Sequence, residues 1–454
     1  MDFRSNRMQK MLLVMGGIAV LAVTGCTGES SREQATGSAS FRALNAIPTS
    51  PTFAFLIEEQ TAGTADYKNT STRLVFDDLD YTFNFQVALA GNFGTTRVAS
   101  QLIETVRDKD YILLISGAID TPTITVWEND WREWQTTDTV FRASFAHTAE
   151  SLGAVDVYFL APGVPPSAGQ QVGTLDFAEI LPYADYPQGD YVIYFTTAND
   201  PGDILYTSNT LTPTVQTGFI ASIFDGDAND VTPYPVKAIR DDGAVSNLVD
   251  ANSSSTVRFL HASSDLATSD IYIDEMLTAP FVTDLAFQDV TGDLPIDVGI
   301  YPVTFTAAGQ VGSILFENSL GVVGGARYQF YAIGETDAFS AVIIVPDRRS
   351  IETVARLSFI HTATNHDAVD LYIVDTGTDI TTALPRLFNV PIGTQPIALN
   401  LDAGDFEIYV TPFNEKTVLA GPIALTTDYG DVYETITYNN VDPAIADFVF
   451  IPLP

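Results

Sequence analysis

The chain has 454 residues with 57 acidic against 21 basic side chains, a formal net charge of −36, which excludes a nucleic-acid binder that works by neutralising phosphates. Hydrophobic residues make up 46% and charged residues only 17%, so there is apolar material for packed cores, while 31 Gly and 24 Pro leave little room for long helices. A single cysteine rules out an intrachain disulfide and any multi-cysteine zinc or iron–sulfur site.

Residues 1–10 carry Arg4, Arg7 and Lys10 against one acid, Asp2, and are followed by apolar or small residues from Met11 to Val23. A basic head, a short apolar core and a small-residue site are the layout of a secretory signal, over residues 1–25, and the core is too short for a membrane span. Leu21-Ala22-Val23-Thr24-Gly25-Cys26 resembles a bacterial lipobox. That resemblance implies lipidation of Cys26 (diacylglycerol on the thiol, a further acyl chain such as palmitate on the freed amine) and a membrane link through the lipid. Thr27, in place of Asp, points by the same resemblance to the outer membrane of the cell envelope. Residues 26–40 are small and polar and read as a flexible tether.

The rest of the chain repeats. Phe141–Leu160, Val257–Asp274 and Arg356–Val374 share one spacing: His, eight residues, Asp, one aliphatic residue, Tyr. The triplets are His147/Asp156/Tyr158, His261/Asp270/Tyr272 and His361/Asp370/Tyr372, and they use three of the chain's four histidines. The segment from Arg42 aligns on that from Arg258 without a gap, with Asn45, Ala54 and Leu56 in the three places. Downstream, Gly189, Gly299 and Gly404 each open a run of alternating aromatic and β-branched residues, the period-two pattern of a half-buried strand. Tyr111-Ile-Leu-Leu-Ile-Ser-Gly and Tyr328-Gln-Phe-Tyr-Ala-Ile-Gly close units.

This rhythm predicts an all-β chain of four tandem immunoglobulin-like β-sandwich units of six to eight strands each: a divergent unit one over 41–135, then 136–250, 251–352 and 353–454. Joined end to end, they would form a rod or stalk. The His, Asp-aliphatic-Tyr, Gly-aromatic and closing Tyr signature resembles the domain of unknown function 4397 (DUF4397) repeat, fully in units two to four and in part in unit one. The resemblance implies an Ig-like envelope repeat and supplies no catalytic residue.

Several constellations bear on chemistry. The repeated His and Asp are expected to bond one another or to tie down loop backbone, since buried polar groups need partners. His366 lies off the register and is expected to be exposed. Asp375-Thr376-Gly377 resembles an aspartic-protease loop, but its would-be partner Asp120-Thr121-Pro122 lacks the glycine. Asp225-Gly226-Asp227-Ala228-Asn229-Asp230 alternates oxygens as calcium loops do, yet lacks the EF-hand Gly and Glu positions. No cofactor or metal is expected, with calcium at acidic junctions the one candidate. Trp127, Trp131 and Trp134 crowd the junction of units one and two, with Glu128-Asn129-Asp130 read as a turn between them. They either pack that junction or form a sugar- or peptide-stacking platform.

The functional expectation is a non-enzymatic envelope lipoprotein acting as a structural or adhesive spacer. A glycan- or peptide-binding module centred on unit one and the tryptophans is the alternative, and an enzyme of unrecognised class comes third, there being no nucleophile elbow, zincin motif or phosphate loop.

Overall fold

The computed structural model describes residues 34–90, 94–266 and 268–453, so the signal segment and Cys26 lie outside the described residues. Among these there are strands and turns but no helix. The first unit has eight strands: β1 Ser38–Asn45, β2 Phe53–Ile57, β3 Gln60–Ala65, β4 Leu74–Asp77, β5 Asp80–Val87, β6 Thr96–Glu104, β7 Lys109–Gly117 and β8 Pro122–Asp130. They form two sheets, ordered β4-β1-β7-β8 and β3-β2-β5-β6.

The same order recurs three more times. The equivalents of β1 are Val140–Thr148, Ser255–Ala262 and Ala355–His361; those of β7 are Gly218–Phe224, Arg327–Ile333 and Val432–Asn439. The second unit adds a fifth strand, Val245–Leu248, to its first sheet. In every unit the β1 and β7 equivalents run parallel at the centre of the first sheet, flanked by antiparallel neighbours. Within this two-sheet sandwich the chain changes sheet after each hairpin. Each unit also has its own core: Phe41, Phe55, Phe83 and Leu113 in the first, and Phe145, Val157, Phe195 and Ala221 in the second. Phe259, Ile271, Phe305 and Phe330 fill the third; Phe359, Leu371, Ile408 and Val410 fill the fourth.

The units do not join end to end. In β1 every residue from Ala39 to Asn45 is buried, and in β7 every residue from Asp110 to Ser116. A sheet with one face in water would alternate, whereas strands covered on both faces read as continuous apolar runs. The second face of sheet one in unit one packs on its counterpart in unit two: Leu44, Ile112, Leu114 and Trp127 meet Ala146, Ile220, Phe224 and Ile239. Units three and four repeat the arrangement, Leu260, Tyr331 and Ile333 meeting Ile360, Ile436 and Tyr438. The expected rod is thus replaced by two face-packed pairs, because the closing strands are apolar on both sides.

Polar contacts then link the pairs. Arg327 donates to the Asp230 carbonyl at 2.7 and 3.0 Å, and Asn229 reaches Asp347 at 2.8 Å. Arg349 donates to the Ser50 carbonyl at 2.6 Å, and the Glu352 amide to the Thr49 carbonyl at 2.9 Å. Two local expectations also change. The expected tether is partly structured: Ser38–Ser40 belong to β1, and the Thr36 and Gly37 amides donate to Asp78 at 2.7 and 2.8 Å. Glu128-Asn129-Asp130 is no turn; it ends β8, where Asp110 and Tyr111 hold its ladder.

Candidate functional site

The recurring histidines sit at the end of each first strand and are fully buried. His147 Nε2–H donates to the Gly153 carbonyl at 2.9 Å, while its Nδ1 accepts the Ala149 amide at 3.3 Å. His361 Nε2–H donates to the His366 carbonyl at 2.7 Å and its Nδ1 accepts from the Thr437 hydroxyl at 2.8 Å. A carbonyl can only accept, so these partners set the neutral tautomer with the proton on Nε2. His261 Nδ1 accepts the Ser263 amide at 3.2 Å, and its Nε2 faces the Leu266 backbone without closing a bond. Burial holds all three imidazoles neutral, with the pKa of His261 and of His361 lowered to about 4.

The aspartates do a separate job on the second sheet. Asp270 accepts the amides of Asp284 at 2.9 Å and Gly309 at 2.8 Å; Asp370 accepts those of Asn389 at 2.7 Å and Asn414 at 3.0 Å. Asp156 accepts the Asn199 amide at 2.8 Å and the Thr174 hydroxyl. All five amides belong to residues with φ between 51° and 68°. Left-handed backbone costs energy in L-residues other than glycine, and a buried carboxylate that needs donors is a compensating partner. Each imidazole and carboxylate therefore ties down its own stretch of backbone, and the two do not pair with one another. Tyr158, Tyr272 and Tyr372 share the outer sheet face with their aspartates and are buried there. Val192 and Tyr194 pack on Tyr158, and the Lys416 ammonium lies 4.4 Å from the centre of the Tyr372 ring.

Unit one keeps the geometry with other atoms. Asn45 Oδ1 accepts the Ile47 amide at 3.0 Å, two residues on, as the Nδ1 atoms of His147 and His261 do. Its Nδ2 donates to Ser50 Oγ at 2.8 Å, five residues on, and to the Ala65 carbonyl at 3.3 Å. Ala54 and Leu56 have no polar atom to contribute, and Leu56 is buried as the tyrosines are.

The remaining candidates are dispersed. Trp127 is buried in the interface of units one and two, its indole N–H donating to the Ala178 carbonyl at 2.8 Å. The three tryptophans therefore form no common platform: Arg73 covers the Trp131 ring at 4.6 Å and Arg132 covers Trp134 at 4.1 Å. In the calcium-like loop an internal cation is already seated. Lys68 Nζ lies 3.0 Å from Asp227 and contacts Asp230, all three being largely buried. His366 is half-buried rather than exposed, because its carbonyl holds His361. Asp375 ends a strand, and its carbonyl accepts the Thr378 amide in the following turn.

Sequence reasoning missed one constellation. Every first strand carries an arginine, Arg42, Arg142, Arg258 or Arg356, largely buried and aimed beyond its own sandwich. Arg42 donates to the Arg240 carbonyl at 2.7 Å, Arg142 to that of Asp130 at 2.8 Å and Arg258 to that of Pro452 at 2.6 Å, each across a unit interface. Arg356 donates instead to the Arg349 carbonyl, in the segment between the last strand of unit three and the first of unit four, at 2.9 Å. An arginine at the head of each repeated segment was the available signal.

These features define a tandem β-sandwich repeat protein whose recurring polar residues hold backbone. Residues 255–372 match the family model described as Domain of unknown function (DUF4397). The match covers unit three from its first strand and ends within the second strand of unit four, so it takes in both the His261 and the His361 triplets. Among solved structures the chain aligns with "The Bacillus anthracis TIE protein" at 10% identity, over 89% of this chain and 69% of that one, with a TM-score of 0.15. No curated protein matches the chain.

Proposed function

We propose that this chain is a non-enzymatic cell-envelope lipoprotein, held in the outer membrane by acyl chains on Cys26, whose face-packed sandwiches serve as a structural or adhesive block. The observation that carries the reading is how the recurring polar groups are used. The histidines and aspartates that a catalytic interpretation would need are buried and bonded to backbone, the way a scaffold uses them. The acidic surface suits an envelope-displayed protein that stays soluble beyond its anchor. Stacking of sugars on the tryptophans is the weaker use, since Trp127 belongs to the interface core. Expression of the full chain and of Cys26→Ala in a Gram-negative host tests the anchor. The unaltered chain is expected in the outer-membrane fraction, and the variant in the soluble periplasm. A variant that still fractionates with membrane would refute lipid anchoring.

A further inference from the structure

A cavity of about 480 Å³ opens where units two, three and four meet, lined by Ala228, Asp293, Arg327, Arg348, Asp431, Val432 and Leu453. It lies in the range of small-molecule sites, which favour domain junctions. In a chain of net charge −36, its surroundings are unusual in being rich in guanidinium. Arg258, Arg327 and Arg348 gather around only two carboxylates, Asp293 and Glu434. Asp431, at the wall, is engaged by its own turn, accepting the Asp428 amide and the Tyr433 hydroxyl, both at 2.8 Å.

The guanidiniums are not fully satisfied. Arg348, with a side chain 4% exposed, donates through Nε to Glu434 at 3.0 Å and through Nη2 to Gln329 at 2.8 Å, but Nη1 has no hydrogen bond. The nearest carboxylate oxygen, on Asp293, is 3.6 Å away and already takes Arg327 through its partner oxygen at 2.5 Å. Arg258 Nη1 is likewise unpaired, 3.7 Å from Glu434. Burial first, and then the charge of Arg348, push the Arg258 guanidinium pKa down, with Glu434 and Asp293 acting against them. A buried donor without an acceptor costs about 1–3 kcal/mol, more when charged, and two guanidinium N–H groups beside the cavity, on Arg348 Nη1 and Arg258 Nη1, stand without an acceptor.

We infer that this cavity binds a small carboxylate, whose oxygens meet Arg327 and Arg348 and whose short carbon skeleton lies against Val432, Leu453 and Ala228. Guanidinium is the side chain suited to carboxylate, and the apolar walls limit the ligand to a compact acid. The carboxylate could come from a free aliphatic acid or from an acidic sugar, so butyrate and galacturonate are the probes, with butyramide and galactose as uncharged counterparts.

Titration calorimetry on the full chain in detergent should show butyrate or galacturonate binding with a dissociation constant of about 1 mM or tighter. The amide and the neutral sugar should bind at least about tenfold more weakly, the loss of one ionic hydrogen bond. Binding of butyrate alone assigns a free acid, and of galacturonate alone an acidic sugar. Ala228→Trp projects a large side chain into the cavity from an exposed loop position while leaving every arginine in the sequence, and should abolish binding while leaving the melting curve unchanged. Heat from neither acid, equal heat from the uncharged counterparts, or undiminished binding to a folded Ala228→Trp variant would each overturn the inference. Failure here leaves the anchored-scaffold reading intact, because that rests on Cys26 and on the His and Asp bonds.

Discussion

Face-to-face packing of sandwiches makes a prediction that an end-to-end chain would not. If unit three is expressed alone as residues 251–352, the interface face of its first sheet goes into water. Leu260, Tyr331, Ile333 and Val342 are each under 10% exposed in the full chain and belong to the core shared with unit four. Burial of a large apolar side chain contributes about 1.5–3 kcal/mol, so these four account for roughly 6–12 kcal/mol as an upper bound. That rivals the entire 5–15 kcal/mol stability of an ordinary domain. The isolated unit is therefore expected to be unfolded or self-associated, with strong binding of a hydrophobic dye. Residues 251–453, carrying both members of the pair, should remain monomeric and melt cooperatively. Thermal melts followed by circular dichroism, with light scattering on the same samples, decide the matter. A monomeric unit three melting within a few degrees of the pair would show that the shared core contributes little, and the face-packed reading would fail.

Two further predictions follow from the buried polar groups. His261 and His361 take up a proton only near pH 4 in the folded chain but near 6.5 when unfolded. Below pH 6.5 the unfolded state binds more protons, so the stability these groups supply is present above 6.5 and is lost as pH falls toward 4. The slope is up to about 1.4 kcal/mol per pH unit for each. Melting temperature measured from pH 7 to 4 should fall, and His361→Gln should flatten the dependence of the transition of the unit three–four pair; a profile that the substitution leaves unaltered contradicts the assignment. Asp370→Ala removes a carboxylate that accepts two backbone amides, each such ionic bond being worth about 1.5–3 kcal/mol. A loss of about 3–6 kcal/mol is expected in urea titration of residues 251–453, with Asp370→Asn, which keeps one acceptor oxygen, losing about half. A change below about 1 kcal/mol in the alanine variant would mean that the left-handed turns hold themselves.

The strands and the four-fold repetition were legible because period-two alternation and the His–Asp–Tyr spacing are local signals. The pairing of sandwiches was less legible, although its trace is present. Residues 111–115 (Tyr-Ile-Leu-Leu-Ile) are apolar without interruption, and only a strand covered on both faces needs that. Which sandwich supplies the cover is a long-range fact that no local pattern encodes. Trp127 illustrates the difficulty. Spaced with Trp131 and Trp134 it suggests a cluster, but β8 continues to Asp130 and carries Trp127 alone into the interface. Similarly, the Asp225–Asp230 loop looks like a cation site from its own residues; the cation that fills it comes from Lys68, 162 residues before Asp230.

Asn45 shows what the repeat retains. Measured by residue identity, unit one has lost its signature, since neither His nor Asp survives there. Measured by hydrogen bonds, half of it remains: an acceptor atom for the amide two residues on, and a donor for the group five residues on. An amide side chain supplies both functions, as a neutral imidazole does, but cannot act as a titrating base. Had the recurring imidazole been there for proton transfer, an amide would be useless in its place, whereas as a loop fastener it serves equally well. The lost aspartate fits the same logic. Gly63 in β3 stands across the ladder from Phe55, next to Ala54, and the register shift there falls between Phe55 and Leu56. None of the residues of β3 appears among the non-glycine residues with positive φ. Along β3, then, a carboxylate at position 54 would meet no left-handed amide of the kind that Asp284 and Asn389 present, and an alanine fills its place.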